Sequence, residues 1–293
     1  MALYTSPRAT KPASPELAAA LESHSWYHTI DLPDDVVTPG YYDLRNVVEK
    51  FPWPDLTGKR CLDVGTFDGF LAFEMEKRGA SEVVAIDVDN YADLDWPART
   101  RAFAATQLEK EIGAERGRGF RIAKEARGSN VQRVPLNVYD LSPERVGTFD
   151  FVVCGSILTH LQNPIRALEA IRSVCSGQLL ATEGIDLWLT IRHPRRPLLD
   201  LVGTQDQWYA PNAAGLKRLV DVAGFAIDDA TRPYSIGMGP GFKENVGFRG
   251  LVRRIRNVGL RRASHNISRL FLQKLTTGRS GPPHIAILAH PEV

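Results

Sequence analysis

From Lys59 onward the hydrophobic positions fall into short runs separated by amphipathic stretches. The runs RCLDV, EVVAIDV, RVPLNVYD, FDFVVCG and GQLLATEG predict five strands, nearly continuous in apolar residues as strands buried on both faces are. Helical spacing fills the intervals at 68–78, 97–113 and 163–175, and follows the fifth run at 212–223. Such a βα succession predicts an α/β, Rossmann-like, doubly wound sheet with a ligand crevice at the strand C-termini. Two further runs, AIDDATR near 226 and HIAILAHP near 284, complete a mostly parallel seven-stranded sheet.

Outside that pattern the chain divides simply. Residues 1–14 carry Pro, Ser, Thr and Ala with almost no large apolar side chain, and are predicted to be mobile. Residues 15–55 form an N-terminal lead: helical from Pro15, with Leu17, Ala20, Leu21 and Trp26 on one face, then interrupted at Pro33, Pro39 and Gly40. Residues 56–293 hold the sheet domain, with a basic insert over about 241–279 that carries ten Lys or Arg against the single acid Glu244.

Composition narrows the class. With 43% hydrophobic and 24% charged residues in 293, the chain is an ordinary globular protein. A net charge of +2 offers no general argument for nucleic acid or membrane, but ten of the 36 basic residues lie in the insert, so the rest of the chain is net acidic. The insert's apolar residues, Leu251, Ile255, Val258, Leu270 and Leu275, show only broken helical spacing, unlike a membrane-surface helix. Cys61, Cys154 and Cys175 lie far apart without a CxxC pair, which argues against a disulfide framework or zinc site. No apolar run is long enough for a transmembrane segment and the N-terminus does not resemble a signal peptide, so a soluble, cytoplasmic protein is expected.

The chemistry begins in CLDVGTFDGF. Its strand ends at Val64, and Gly65 and Gly69 follow before a helix, as in loops that bring the backbone close to a cofactor. Phe67 replaces the middle glycine of the dinucleotide pattern GxGxxG, while Asp63 and Asp68 bracket the loop with negative charge. Two acids suit a ligand with an ammonium and a sulfonium better than one with phosphates. Asp87 closes the second strand about twenty residues further on, where a carboxylate can accept ribose hydroxyls.

Taken in order, TIDLPDDVVTPG, DLTGKRCLDVGTFDGF, VVAIDVD, VPLNVYDLSPE, FDFVVCGSILTHLQNPIRALEAI and WYAPNAAGLKRLVDVAGF resemble class I S-adenosylmethionine-dependent methyltransferases. More narrowly they are similar to the branch containing the bacterial tRNA wobble-uridine carboxymethyltransferases. The resemblance implies S-adenosylmethionine as cofactor, with Gly65, Thr66, Asp68 and Gly69 around its methionine half. It further implies Asp87 and Val88 near the ribose, Asn137, Val138 and Tyr139 flanking the adenine, and Gly155 beneath the sulfonium. Carboxymethyl-transferring members hold the donor's extra carboxylate with a lysine before the domain, a tyrosine in the fourth-strand turn and an arginine opening the last strand. Here those places carry no lysine between Lys11 and Lys50, Thr159, and His284. A buried carboxylate without cations is costly, so ordinary S-adenosylmethionine and methyl transfer are expected.

Methyl transfer needs an aligned acceptor, excluded water and, for a hydroxyl, a proton acceptor. His160, in the turn after the fourth strand, is the first choice for that base, with a capping or substrate-contacting role open beside it. Glu183 and Asp186, after the fifth strand, join it as catalytic candidates; two acids and one remote histidine are not a specific ligand pattern, so no metal is expected. Tyr27, His28 and Tyr42 before the sheet, and Trp208, Tyr209 and Asn212 after it, are candidates for a lid, with plain packing as the alternative. The expected reaction is methylation of a small-molecule acceptor at oxygen, such as a natural product, saccharide or lipid precursor. RNA is the second partner considered; it rests on the family relation and the basic insert alone. Non-methyl chemistry of the same cofactor is the third reading.

Overall fold

A computed structural model describes residues 14–113, 115–202, 206–242 and 281–292. The expected mobility of residues 1–14, apart from Ser14, and nearly all of the basic insert lie outside those residues. The main sheet contains β1 (Arg60–Val64), β2 (Glu82–Asp87), β3 (Gln132–Pro135), β4 (Phe149–Gly155), β5 (Cys175–Gly184), β6 (Phe225–Ala230), β7 (Tyr234–Ser235) and β8 (Pro283–Pro291). Its order is β3-β2-β1-β4-β5-β8, with β6 and β7 both pairing with β8 along the far edge. Strands β1 to β5 run parallel, and β8 runs antiparallel to β5. The expected seven-stranded sheet therefore carries one further short strand, β7.

Alternation along the central strands explains the double winding. In β1, Leu62 and Val64 enter one apolar core while Cys61 enters the other; in β4, Val152 and Cys154 face the first core and Phe151 and Val153 the second. A two-residue period with both sets apolar produces a sheet that needs helices on each face. One face is covered by α6 (Pro164–Val174) and α8 (Ala213–Val222). In α6, Asn163 caps the N-terminus by accepting from Arg166 N at 3.1 Å, and Ala167, Leu168, Ile171 and Val174 form the buried stripe. The other face receives α2 (Phe70–Lys77), α4 (Arg118–Arg127) and the lead, which includes α1 (Pro15–Glu22). Other helices are α3 (Arg101–Ile112), α5 (Pro143–Val146) and α7 (Leu187–Arg192).

Two local departures from the sequence reading have clear causes. The run RVPLNVYD is a strand only to Pro135, because Asn137 turns its side chain onto Tyr139 N at 3.1 Å and starts a single helical turn, Val138–Asp140. Helix α4 was not anticipated: it is short and dominated by charged residues, with Gly119, Phe120 and Ala123 buried. Left-handed Gly117 and Gly128 mark its two ends.

The parallel strands set the site. Between β1 and β4 the connections diverge to opposite faces, leaving a crevice at their C-terminal ends. Gly65, Asp87, Gly155 and Glu183 all reach that edge.

Candidate active site

A cavity of about 560 Å³ opens at this edge. Its floor includes two glycines in close contact with neighbouring side chains. A Cβ on Gly155 would lie 2.6 Å from Leu71 Cδ1, and one on Gly65 would lie 2.7 Å from Ile157 Cδ1. Gly65 also takes a φ of +76°, a conformation a side chain disfavours. The loop is then fixed by its own amides: Gly65 N and Thr66 N donate to Ile86 O, Phe67 N donates to Asp87 Oδ2 at 3.0 Å, and Gly69 N donates to Thr66 O. These N–H groups are committed within the protein, so the loop does not offer them as a phosphate cradle.

The acids around the loop have separate tasks. Asp68 Oδ2 accepts from the backbone amides of Tyr27 at 2.8 Å and His28 at 3.0 Å, fastening the lead over the sheet edge. Asp68 is thus a latch set back from the cavity wall, as is Gly69. Asp87 lines the cavity, but its Oδ1 accepts from Val88 N at 2.8 Å and pairs with Arg116 at 2.6 Å. Arg116, which the sequence reading missed, is nearly buried and places its guanidinium over the Phe67 and Tyr91 rings. Asp63 is different: it is buried, lines the cavity, and its Oδ2 has no hydrogen-bond partner. Burial pushes its carboxyl up to about 7; the neighbouring Thr66 hydroxyl opposes the shift and the Asp87 charge adds to it. The expected pair of acids facing a cation therefore resolves into Asp63 with an unpartnered oxygen, and Asp68 as a fastener.

The lead forms the roof. Tyr27, His28, Tyr41 and Tyr42 line the cavity, and Tyr27 packs on Phe67 at 4.8 Å and Tyr42 at 5.0 Å between ring centroids. Tyr42–Asp43 also pairs antiparallel with Gly237–Met238, tying the roof to the segment after β7. Burial lowers His28 and raises Tyr27, and pushes Tyr42 up to about 12, so all three are neutral at ordinary pH. Leu94, Trp96, Leu108 and Ile112 close the side beyond Asp87. Trp96 is buried and its indole N–H donates to Tyr91 O at 2.7 Å.

At the other end stand His160, Glu183, Ser156 and His284. His160 Nδ1 lies 2.7 Å from the main-chain oxygen of Asp206 and 3.8 Å from its carboxylate. A carbonyl can only accept, so in the neutral ring the proton sits on Nδ1 and Nε2 keeps its lone pair. Glu183 is buried and accepts from Thr159 N, Thr159 Oγ1 and Gly184 N. Burial raises its carboxyl, with His160 opposing, and its bonds make it the brace of the β4 turn.

Several sequence-predicted residues lie elsewhere. Asp186 caps α7, accepting from Leu189 N at 2.8 Å, so it does not join Glu183 as a carboxylate pair at the cavity. Asn212 is fully buried as the cap of α8 and donates to His193 O and Arg196 O. Trp208 donates to Asp95 O and Tyr209 to Leu158 O, so both pack behind the turn rather than form a lid. Tyr139 donates to Asp95 Oδ2, Asn137 caps its own turn, Val138 is core, and Val88 hands its carbonyl to Arg116; none of the four reaches the cavity wall. Among the described residues no group of three or more His, Cys, Asp or Glu could hold a metal ion, and no helix is long and apolar enough to cross a membrane.

A glycine loop and a strand-end acid at the switch point of a doubly wound sheet define a Rossmann-like cofactor domain. Residues 40–229 match the methyltransferase-domain family. The chain belongs to that family, in the class I, S-adenosylmethionine-dependent group. It is 28% identical over 181 residues to a tRNA U34 carboxymethyltransferase of Pseudomonas aeruginosa, covering 60% of this chain and 47% of that protein. It is 28% identical over 151 residues to a ubiquinone biosynthesis O-methyltransferase of Acinetobacter baylyi, covering 51% of each. The chain thus spans about half the length of the curated relatives it matches. Among solved structures, a Burkholderia thailandensis 1,6-didemethyltoxoflavin-N1-methyltransferase with bound S-adenosylhomocysteine aligns at a TM-score of 0.46 and 14% identity, covering 81% of this chain and 72% of that one.

The residues present fit S-adenosylmethionine. Asp63 Oδ2 and Thr66 Oγ1 are buried polar atoms lining the cavity with no hydrogen-bond partner outside this pair, the Gly65, Thr66, Phe67 and Gly69 amides are already bonded within the protein, and the volume lies in the range of cofactor sites.

Proposed function

We propose that the protein transfers a methyl group from S-adenosylmethionine to an oxygen of a small-molecule acceptor. The observation that carries this reading is that the Asp63–Gly65 floor and His160, whose Nδ1 is held by the Asp206 carbonyl, line one roofed cavity. When bound, S-adenosylmethionine supplies an electrophilic methyl on a sulfonium. Asp63 would hold the ammonium of its amino-acid half, Gly155 would leave room at the reacting end, and Asp87, already gripping Phe67 N, would have lone pairs left for ribose hydroxyls. The lead, held by Asp68, excludes water. His160 takes the acceptor's proton at Nε2, and the Asp206 carbonyl keeps the ring in the required tautomer.

A donor with an extra carboxylate suits this cavity poorly. Of the three places where such a group would be held, one lacks its lysine, and the others carry Thr159, bonded to Glu183, and His284, buried and neutral. The nearby cation Arg116 is already paired with Asp87. This supports S-adenosylmethionine itself as donor, and weakens transfer of tRNA modification from the Pseudomonas relative. Mass spectrometry of turnover mixtures tests the reading: S-adenosylhomocysteine and an acceptor heavier by one methyl are expected. A carboxymethylated product, or RNA as the group modified, would overturn it.

A further inference from the structure

Ser156 and His284 form a hydrogen-bonded pair at the reacting end of the cavity, beside Gly155. Ser156 Oγ lies 3.2 Å from His284 Nε2, and His284 Nδ1 lies 2.9 Å from Pro282 O. Because the Pro282 carbonyl accepts, Nδ1 carries the ring proton; Nε2 must then accept, and the Ser156 hydroxyl must donate to it. The Ser156 oxygen is left with lone pairs only.

Three features hold this polarity in place. Ser156 adopts a φ of +51°, in the left-handed region, and its amide donates to Thr182 O at 2.7 Å, so the turn is committed to presenting this side chain. His284 sits in register opposite Gly184 of β5, which sets the imidazole beside the β4 turn. Tyr234 stacks on the imidazole and bonds Thr182 through its hydroxyl.

We propose that Ser156 and His284 form the anchoring station for the methyl acceptor, binding a neutral hydroxyl or amine N–H and rejecting carboxylate and phosphate groups. This rests on the transferase reading above. Ser156 touches the acceptor; His284 is a positioning residue that acts through it. An anion would meet only the serine lone pairs, with no proton to bind. Burial pushes His284 down to about 4, so it does not become a donor at neutral pH.

The experiment uses the full chain loaded with S-adenosylhomocysteine and follows histidine ring nitrogens by long-range ¹H–¹⁵N spectroscopy, with His284→Gln assigning the His284 signals. Phenol is the donor probe and benzoate the anionic probe. The expected result is a neutral, Nδ1-protonated His284 from about pH 6 to about pH 8, whose Nε2 signal shifts with phenol but not with benzoate. Ser156→Ala, in which His284 is intact, should weaken the phenol response about three- to tenfold while leaving S-adenosylhomocysteine affinity unchanged. An Nε2-protonated ring, an equal response to benzoate, no response to phenol, or an unchanged phenol response in Ser156→Ala would overturn the station. Failure of S-adenosylhomocysteine to bind would strike the transferase reading instead.

Discussion

Replacing Asp63 by Asn should remove the pH dependence of cofactor affinity. Asp63 is buried and carries an oxygen without a partner, and burial pushes its carboxyl up to about 7. An acid whose folded value exceeds its unfolded value leaves the folded state with more bound protons, so ligand-free stability falls as pH rises. From about pH 4 to about pH 7 that loss amounts to about 3 kcal/mol. A bound ammonium reverses the preference, because the ionised carboxylate gains a partner. Binding near neutrality then requires proton release from the fraction of molecules still protonated. Between about pH 8 and about pH 6 the affinity for S-adenosylhomocysteine should weaken about tenfold, or about 1.4 kcal/mol. Calorimetry in buffers of different ionisation enthalpy reads both the affinity and the proton count. Wild type should release close to one proton at about pH 6, and Asp63→Asn none. Equal proton release in the two proteins would refute the assignment of Asp63 to the cationic half of the cofactor.

Other perturbations separate the remaining roles. His160→Ala should lower kcat by about 10²- to 10⁴-fold with little change in S-adenosylhomocysteine affinity; equal losses in both would make His160 a binding residue. Asp68→Ala leaves the Tyr27 and His28 amides without their acceptor and should lower stability by about 1 to 3 kcal/mol in denaturant melts. Unchanged stability would show that the lead is held by other contacts. Arg116→Leu strands the buried Asp87 charge and should destabilise by about 3 to 5 kcal/mol, with Asp87→Asn in the same chain recovering part of the loss. No recovery would mean that Arg116 acts through its contacts with Phe67 and Tyr91.

The sheet and its cofactor edge are legible in the sequence because parallel strands buried on both faces leave near-continuous apolar runs, and because Gly65 and Asp87 sit at the ends of two of them. Polar side chains were harder to place, since an acid or amide looks the same whether it faces a ligand or the backbone. Asp186 and Asn212 are helix caps, a role that an Asp or Asn standing just before a helical run could have suggested. Tyr139, Trp208 and Gln162 converge on Asp95, whose importance no periodicity shows. Arg116 lies between two helices in a stretch without an apolar stripe, and its pairing with Asp87 spans 29 positions. Ser156 and His284 stand 128 positions apart and meet because β8 inserts antiparallel beside β5. The sequence reading had noticed His284 only as the absence of an arginine.

Calorimetric titration of the wild-type chain with S-adenosylhomocysteine, and separately with NAD, tests the central claim most directly. One S-adenosylhomocysteine per chain and no heat from NAD are expected, because the loop amides are already bonded and Asp63 faces the cavity. Binding of NAD in preference, or no binding of S-adenosylhomocysteine, would contradict the account.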